Sequence, residues 1–129
     1  MAGDDFFPYD FDGRFALVWL GLGVKPKTDG VTLTTDGRFV ATYGRWQVET
    51  PISNIASATR EGPYRWWRAV GLRGSGADTG ITFGTTPRAG VCLIFVEPIP
   101  RVVPPRRTHE NLTVTVADPD GLIRALRKT

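Results

Sequence analysis

The segment YRWWR at positions 64–68 is the part of this 129-residue sequence whose residue types best suit binding chemistry. Successive side chains of a strand point to opposite faces, so the adjacent Trp66 and Trp67 cannot both enter a core from a regular strand. A partly exposed tryptophan beside arginine suits a protein partner, a membrane interface or a stacked ligand. We therefore predict a ligand- or partner-binding site made of Tyr64, Arg65, Trp66, Trp67, Arg68 and Arg73.

A purely structural explanation of the same segment remains open. Both tryptophan rings could cover an open end of the fold while the arginine stems extend outward to water. From Arg60 to Arg107 the sequence has eight arginines and three acidic residues. That excess gives either a solvated arginine-rich surface or, if the side chains share a face, a positive one.

The residues that most enzyme chemistries require are sparse. The chain has one histidine, His109, and one cysteine, Cys92, far apart in sequence, so no ligand cluster indicates a metal site. Glu110 follows His109 directly and would point to the other face of a strand, so we expect a surface or edge histidine. Cys92 lies in an apolar run and reads as a buried, inert thiol. We predict a protein with no enzymatic activity, no cofactor and no metal.

The elements that must position these residues are clearest at the C-terminus. In the run Asn111–Leu126, leucine and valine alternate with threonine, which predicts a strand with one apolar face. Asp118 and Pro119 then have the residue types of a helix N-cap and first helical position. Leu122, Ile123 and Leu126 share one face of the helix that follows.

The rest of the chain predicts short strands. Arg14–Gly21 reads as a first strand with two apolar faces, and 31–51 as a three-stranded meander with a type I′ turn at Asp36-Gly37. Ile55–Glu61 is a weaker strand. Gly80–Phe83 and Gly90–Val96 read as core strands, the second of them central. The proline-rich stretch Glu97–Thr108 predicts an extended loop.

The end of the chain, TVTVADPDGLIRAL, together with GLRGSGADTGITFGTTPRAGVCLIF at 71–95, resembles small bacterial pleckstrin-homology-like (PH-like) proteins, in particular actinobacterial ones of this size. The resemblance implies a mainly β, single-domain PH-like antiparallel β-barrel or sandwich of about seven strands, capped by one C-terminal α-helix. It implies no particular activity. Lys25 and Lys27 lie in the first loop, but the second predicted strand, Val31–Thr35, carries no base, so inositol-phosphate recognition is not supported.

We divide the chain into an acidic N-terminal arm, 1–13, and a PH-like domain, 14–129. Whether the arm folds back on the arginine-rich part is open. The N-terminus lacks a basic signal-peptide start and its longest early apolar run is too short to span a bilayer, so we expect a cytoplasmic location.

The leading functional hypothesis is a non-catalytic binding or adaptor domain for a protein partner or for a second copy, through a strand edge or the tryptophan segment. The alternative is peripheral binding to anionic membrane lipid through the Arg/Trp loop 64–73. A small-ligand carrier or an enzyme that uses the barrel interior is a third hypothesis. Specific nucleic-acid binding is not expected, because the basic residues form no dense run and the formal net charge is only +3.

Overall fold

The computed structural model describes residues 4–65, 71–74, 79–100, 102 and 107–128, whose strands form two sheets. In chain order the strands are β1 (Asp5–Pro8), β2 (Gly30–Leu33), β3 (Arg38–Tyr43), β4 (Trp46–Pro51), β5 (Ile55–Glu61), β6 (Gly71–Gly74), β7 (Ile81–Gly84), β8 (Gly90–Pro100) and β9 (Thr108–Val114). The first sheet has the order β1-β2-β3-β4 and the second β5-β8-β9-β7-β6.

The predicted mainly β, sandwich-like class is confirmed, with one helix at the C-terminus. The described strands number nine rather than about seven, because β1 and β6 have no alternating pattern that the sequence could reveal. The described strands do not close into a barrel. One pairing, between β7 and β9, is parallel, so the expectation of a purely antiparallel sheet is wrong at that point.

The meander of β2, β3 and β4 is confirmed, but its first turn differs from the predicted type. Gly37 has φ +89°, whereas every described non-glycine residue, including Asp36, has a negative φ. A type I′ turn needs positive φ at both central residues. Here the Gly37 N–H donates to Thr34 O at 3.1 Å, and the Thr34 N–H donates to Arg38 O at 2.9 Å. This is the longer hairpin loop that ends in a single left-handed glycine.

The first predicted strand, Arg14–Gly21, is helical, so this prediction is wrong. A 3-10 turn leads into helix α1 (Ala16–Gly21). Periodicity cannot distinguish a short, continuously apolar run of a helix from one of a buried strand. In α1 only Trp19 is buried, whereas Leu17 and Leu20 are exposed.

Tyr9 of the acidic arm packs on the rest of the domain. The arm enters the first sheet as β1, which pairs with β2. Tyr9 follows β1, is 2% exposed and forms a bridge with Val116 beyond the end of β9. Its hydroxyl donates to Thr42 O at 2.6 Å. The arm therefore links the two sheets.

Strand β8 is an interior strand, between β5 and β9, which agrees with the predicted central position, but only one of its faces is buried. Val91, Leu93 and Phe95 are at most 6% exposed, whereas Ile94 and Val96 on the opposite face are 48% and 62% exposed. The expectation that the whole apolar run is core is therefore wrong for the outer face. Apolar residues on both faces of a strand indicate that the strand lies inside the sheet. They do not show that other elements cover both of its faces.

The proline-rich stretch predicted as a loop begins inside β8. Pro98 and Pro100 belong to the strand, and Ile99 pairs with His109 of β9. The register between β8 and β9 shifts between Ile94 and Ile99. Proline has no N–H to donate to a neighbouring strand. At such an irregularity it can occupy a strand without breaking a hydrogen bond between the strands. The rest of the predicted loop lies largely outside the described residues.

The C-terminal helix α2 (Pro119–Arg127) begins as predicted. Asp118 Oδ1 accepts a hydrogen bond from the Gly121 N–H at 3.1 Å, and Pro119 occupies the first helical position. Leu122 is fully buried, and Ile123 and Leu126 pack on the core from its edge. This helix lies against β5, the edge strand of the second sheet.

Candidate functional site

The structure describes the side chains of two of the six predicted site residues, Tyr64 and Arg65. Arg73 is described as part of the β6 backbone, and three strands separate β6 from β5 in the second sheet. The other predicted residues, Trp66, Trp67 and Arg68, lie outside the described residues. One binding surface that runs from Tyr64 to Arg73 therefore stays a prediction.

Tyr64 is anchored through its backbone, while its hydroxyl has no partner among the described residues. The Tyr64 N–H donates to Pro87 O at 2.6 Å, and Arg65 beside it is exposed. The Tyr64 hydroxyl is buried and forms no hydrogen bond with any described residue. Burial raises the pKa of this phenol, and the negative charges of Glu61 and of the ionised Cys92 thiol raise it further. Tyr64 therefore stays protonated at neutral pH and is unsuited to act as a base.

The acidic arm does fold back on an arginine, Arg88. Its guanidinium donates to both carboxylate oxygens of Asp10, at 3.0 and 2.8 Å. Asp12 is 3% exposed and accepts hydrogen bonds from Arg14 Nε and Nη2 at 3.0 and 2.8 Å and from Thr86 Oγ1 at 3.1 Å. The hydrogen bonds from Arg14 hold the pKa of Asp12 well below its usual range. These carboxylates are committed to the joint between arm and second sheet.

His109 is fully buried on β9, so the expectation of a surface or edge histidine is wrong. Its Nε2 accepts the Val102 N–H at 3.0 Å, and its Nδ1 lies 2.8 Å from Thr79 O. Because the carbonyl can only accept, Nδ1 carries the proton and the ring is the neutral Nδ1–H tautomer. The imidazole on β9 therefore holds two other segments, Val102 within the proline-rich stretch and Thr79 just before β7, which is a structural role.

A groove between β5 and α2 is a candidate binding feature of the described residues. Its volume is about 470 Å³. One side is the strand segment Ile55–Thr59, and the other is the helix face with Ile123, Leu126 and Arg127. The ion pair between Arg60 Nη1 and Asp120 Oδ2, at 3.0 Å, bridges strand and helix near the start of α2.

The strand side of this groove is a sheet edge. β5 pairs with β8 on one side only and ends the strand order of the second sheet. A strand at the end of a sheet presents a row of backbone N–H and C=O groups on its outer side. In the described part of the chain, no strand pairs with that side. The groove thus combines backbone hydrogen-bonding groups with an apolar and cationic helix face.

Sequence reasoning missed this groove for a physical reason. The segment IASATR has small and polar residues, and it indicated at most a weak strand. The apolar positions of α2 were read as core contacts, which Leu122 is, while Ile123 and Leu126 remain partly exposed at the groove. The edge position of β5 follows from the sheet order, which no local pattern encodes.

No group of three or more metal-ligating side chains occurs in the described residues, and none of the described helices has the length and apolarity to cross a membrane. No family model, curated protein or solved structure matches this chain. The geometry of the described residues is therefore the basis for a functional proposal.

Proposed function

We propose that this protein is a non-catalytic protein-interaction module that binds an extended segment of a partner polypeptide in the β5–α2 groove. The observation that carries the proposal is the outer side of β5, which is unpaired in the described structure and forms one wall of the groove. Addition of a strand to such an edge is a general mode of peptide recognition.

The length of the groove suits a short peptide in extended conformation. The strand residues that line it, Ile55–Thr59, rise by about 3.3 Å each, so they can pair with a partner segment of about five residues. Backbone hydrogen bonds to the edge would supply affinity that depends little on sequence, and side-chain contacts with the helix would supply specificity.

The helix side specifies the chemistry of the partner. Ile123 and Leu126 favour apolar side chains at alternate positions of the bound segment, because alternate residues of a strand face the same side. Arg127 also lines the groove, the exposed Arg124 lies on the same helix, and the exposed Lys128 follows it as the C-cap residue. These charges favour a segment with an acidic residue beside its apolar positions.

The non-catalytic part of the proposal is supported by the state of the polar groups. The buried carboxyl and imidazole groups among the described residues, those of Asp12, Asp29 and His109, form hydrogen bonds that hold segments together. None of the three lines the groove. A small-ligand carrier gains no support, because the inner faces of both sheets are filled by side chains such as Phe39 and Leu93, which are fully buried.

A pair of proline substitutions tests strand addition. Neighbouring residues of a strand direct their N–H groups to opposite sides, so one of Ala58→Pro and Thr59→Pro removes a donor from the free edge, and the other removes one from the β8 ladder. Thermal unfolding identifies the ladder variant, because it is the less stable one. Peptides selected from a random heptapeptide display library should bind the other, stable variant at least about tenfold more weakly than the wild type.

Two results would contradict the proposal: no peptide is enriched, or the stable proline variant binds the selected peptide as tightly as the wild type. Arg127→Gln should weaken binding of acidic peptides, and Arg45→Gln, which removes an exposed charge in the turn between β3 and β4, serves as the matched control. Light scattering distinguishes the self-association version, in which β5 pairs with β5 of a second copy, because the mass then doubles without added peptide.

The earlier alternatives stay predictions. Attachment to anionic lipid through the Arg/Trp loop 64–73, and self-association through Trp66 and Trp67, depend mainly on residues outside the described ones. Serine substitution of both tryptophans, followed by light scattering, addresses the second, and the cytoplasmic location also remains a prediction.

A further inference from the structure

Helix α1 presents two leucines to solvent beside a cationic loop. Leu17 is 92% exposed and Leu20 is 55% exposed, and the two are three residues apart, so they lie on one side of the helix. Lys25 and Lys27 follow in the next loop and are also exposed. We infer that this surface, which shares no residue with the β5–α2 groove, docks the protein on an anionic lipid bilayer.

The apolar part of the surface continues from the helix into the loop. Leu20, Val24 and Pro26 line one shallow depression of about 450 Å³ together with Lys25, Lys27 and Thr28. Apolar side chains and two exposed lysines therefore line the same depression. A depression of this kind, next to a fully projecting leucine, suits the boundary between acyl chains and headgroups, where apolar groups are buried and cations meet phosphates.

Helix α1, which carries the leucines, is fixed to the rest of the fold by contacts of Trp19. The indole Nε1 of Trp19 donates to Asp12 O at 3.1 Å, and its ring packs edge-on against Phe11 with centroids 5.1 Å apart. The Val24 N–H donates to Trp19 O at 3.0 Å, which fixes the start of the loop to the helix. The leucines therefore project from a folded scaffold, and docking need not order a flexible segment.

The charges of this part of the chain have one sign at the surface. Residues 11–35 contain two carboxylates, Asp12 and Asp29, and both are at most 6% exposed. Asp12 is paired with Arg14, and Asp29 accepts backbone hydrogen bonds from Lys25 and Gly44 at 2.7 and 3.0 Å. The exposed lysines thus face no exposed acid within this segment, and charge complementarity selects an anionic partner surface.

The shape of the surface distinguishes a bilayer from an acidic protein. Leu17 projects almost completely, so a protein partner would have to supply a fitted apolar pocket for it beside a negative rim. A bilayer accepts a projecting apolar side chain without such fit. Two leucines and two lysines form a weak, reversible anchor that depends on both signals.

Vesicle flotation tests the inference with the full chain. The probes are vesicles of phosphatidylcholine alone and of equal parts phosphatidylcholine and phosphatidylglycerol, at low and high salt. We expect recovery only with the anionic vesicles at low salt. Lys25→Gln with Lys27→Gln should lower the partition coefficient about 25-fold, at about fivefold per lysine. Leu17→Gln with Leu20→Gln should lower it at least about tenfold.

Matched controls distinguish binding through this surface from nonspecific adsorption to vesicles. Ile94→Gln with Val96→Gln changes two other exposed apolar residues, and Lys128→Gln removes an exposed lysine elsewhere, so all three changes should leave recovery unchanged. Thermal unfolding verifies that each variant is folded. Equal recovery on neutral vesicles, equal loss in the controls, or no recovery at all overturns the inference. A dimer that Leu17→Gln dissociates, without vesicle binding, would assign the surface to a second copy instead.

Discussion

The ring of Tyr43 on β3 stacks on the ring of Phe83 on β7, with centroids 5.1 Å apart and planes 7° from parallel. The Tyr43 hydroxyl continues past this contact and donates to Gly84 O at 2.6 Å. Both side chains are fully buried. Because β3 belongs to the first sheet and β7 to the second, this pair joins the two sheets through the core by both packing and a hydrogen bond.

Tyr43→Phe should therefore destabilise the protein by about 1–3 kcal/mol, because a buried carbonyl loses its donor while ring packing is preserved. Urea unfolding at neutral pH measures the change. Tyr64→Phe is the matched control, since that hydroxyl is buried without a described partner. Its removal should leave the free energy of unfolding unchanged or raise it. Equal losses in the two variants would refute the role given to the Tyr43 hydrogen bond.

Asp12 should make stability depend on pH in the acid range. Its pKa in the folded protein lies well below the usual value of about 4, chiefly because of the hydrogen bonds from Arg14. A carboxyl group with a lowered folded-state pKa binds protons more readily when unfolded, so its contribution is complete above the unfolded pKa and is lost as pH falls. Urea unfolding from pH 7 to pH 2 should show this decline, most steeply below about pH 4.

The variant Asp12→Asn identifies the residue responsible. It should lower stability at pH 7 by about 1–3 kcal/mol, because charge-assisted hydrogen bonds from Arg14 and Thr86 are lost, and it should flatten the acid decline. Asp120→Asn is the control, since its partner Arg60 and Asp120 itself are both more than half exposed, and such pairs contribute little. An acid decline that is as steep in Asp12→Asn as in the wild type would rule out this account.

The parts of the fold that were predicted correctly are those with a local signal. The strand that carries Val114 alternates apolar and polar residues. Asp118 and Pro119 are residue types typical of a helix N-cap and of the first helical position. Gly37 marked a hairpin because only glycine takes up its positive φ readily. Each of these signals comes from a few neighbouring residues and their own backbone requirements.

The parts that were missed depend on contacts between distant segments. Whether the run around Trp19 is strand or helix depends on what lies on each side of it, which periodicity does not report. The burial of His109 depends on Thr79 and Val102, which no spacing rule connects to it. The β5–α2 groove likewise exists because the sheet order leaves β5 at an edge. The predicted site at Tyr64–Arg68 was identified from residue types alone and gave no position in the fold.

His109 should be observed as the Nδ1–H tautomer. Long-range ¹H–¹⁵N correlation spectra distinguish a protonated Nδ1 from a protonated Nε2, and one histidine makes the assignment unambiguous. His109→Ala should cost about 3 kcal/mol or more, because it opens a buried cavity and leaves the Val102 N–H without its acceptor. A spectrum of the Nε2–H form, or a nearly neutral alanine variant, would show that the ring does not hold these segments.

Gly44 and Gly37 form a matched pair that separates backbone strain from close contact. Both have positive φ, +62° and +89°, so alanine at either position should cost about 1–2 kcal/mol in strain. A Cβ at Gly37 meets nothing within 4 Å, whereas one at Gly44 would lie 2.7 Å from Leu22 O, just after α1. Because a backbone atom cannot swing away like a side chain, Gly44→Ala should cost at least about 1 kcal/mol more than Gly37→Ala in urea unfolding. Equal costs would mean that the turn after β3 does not pack tightly on the end of α1, and that the leucine surface of α1 is less firmly positioned than its contacts indicate.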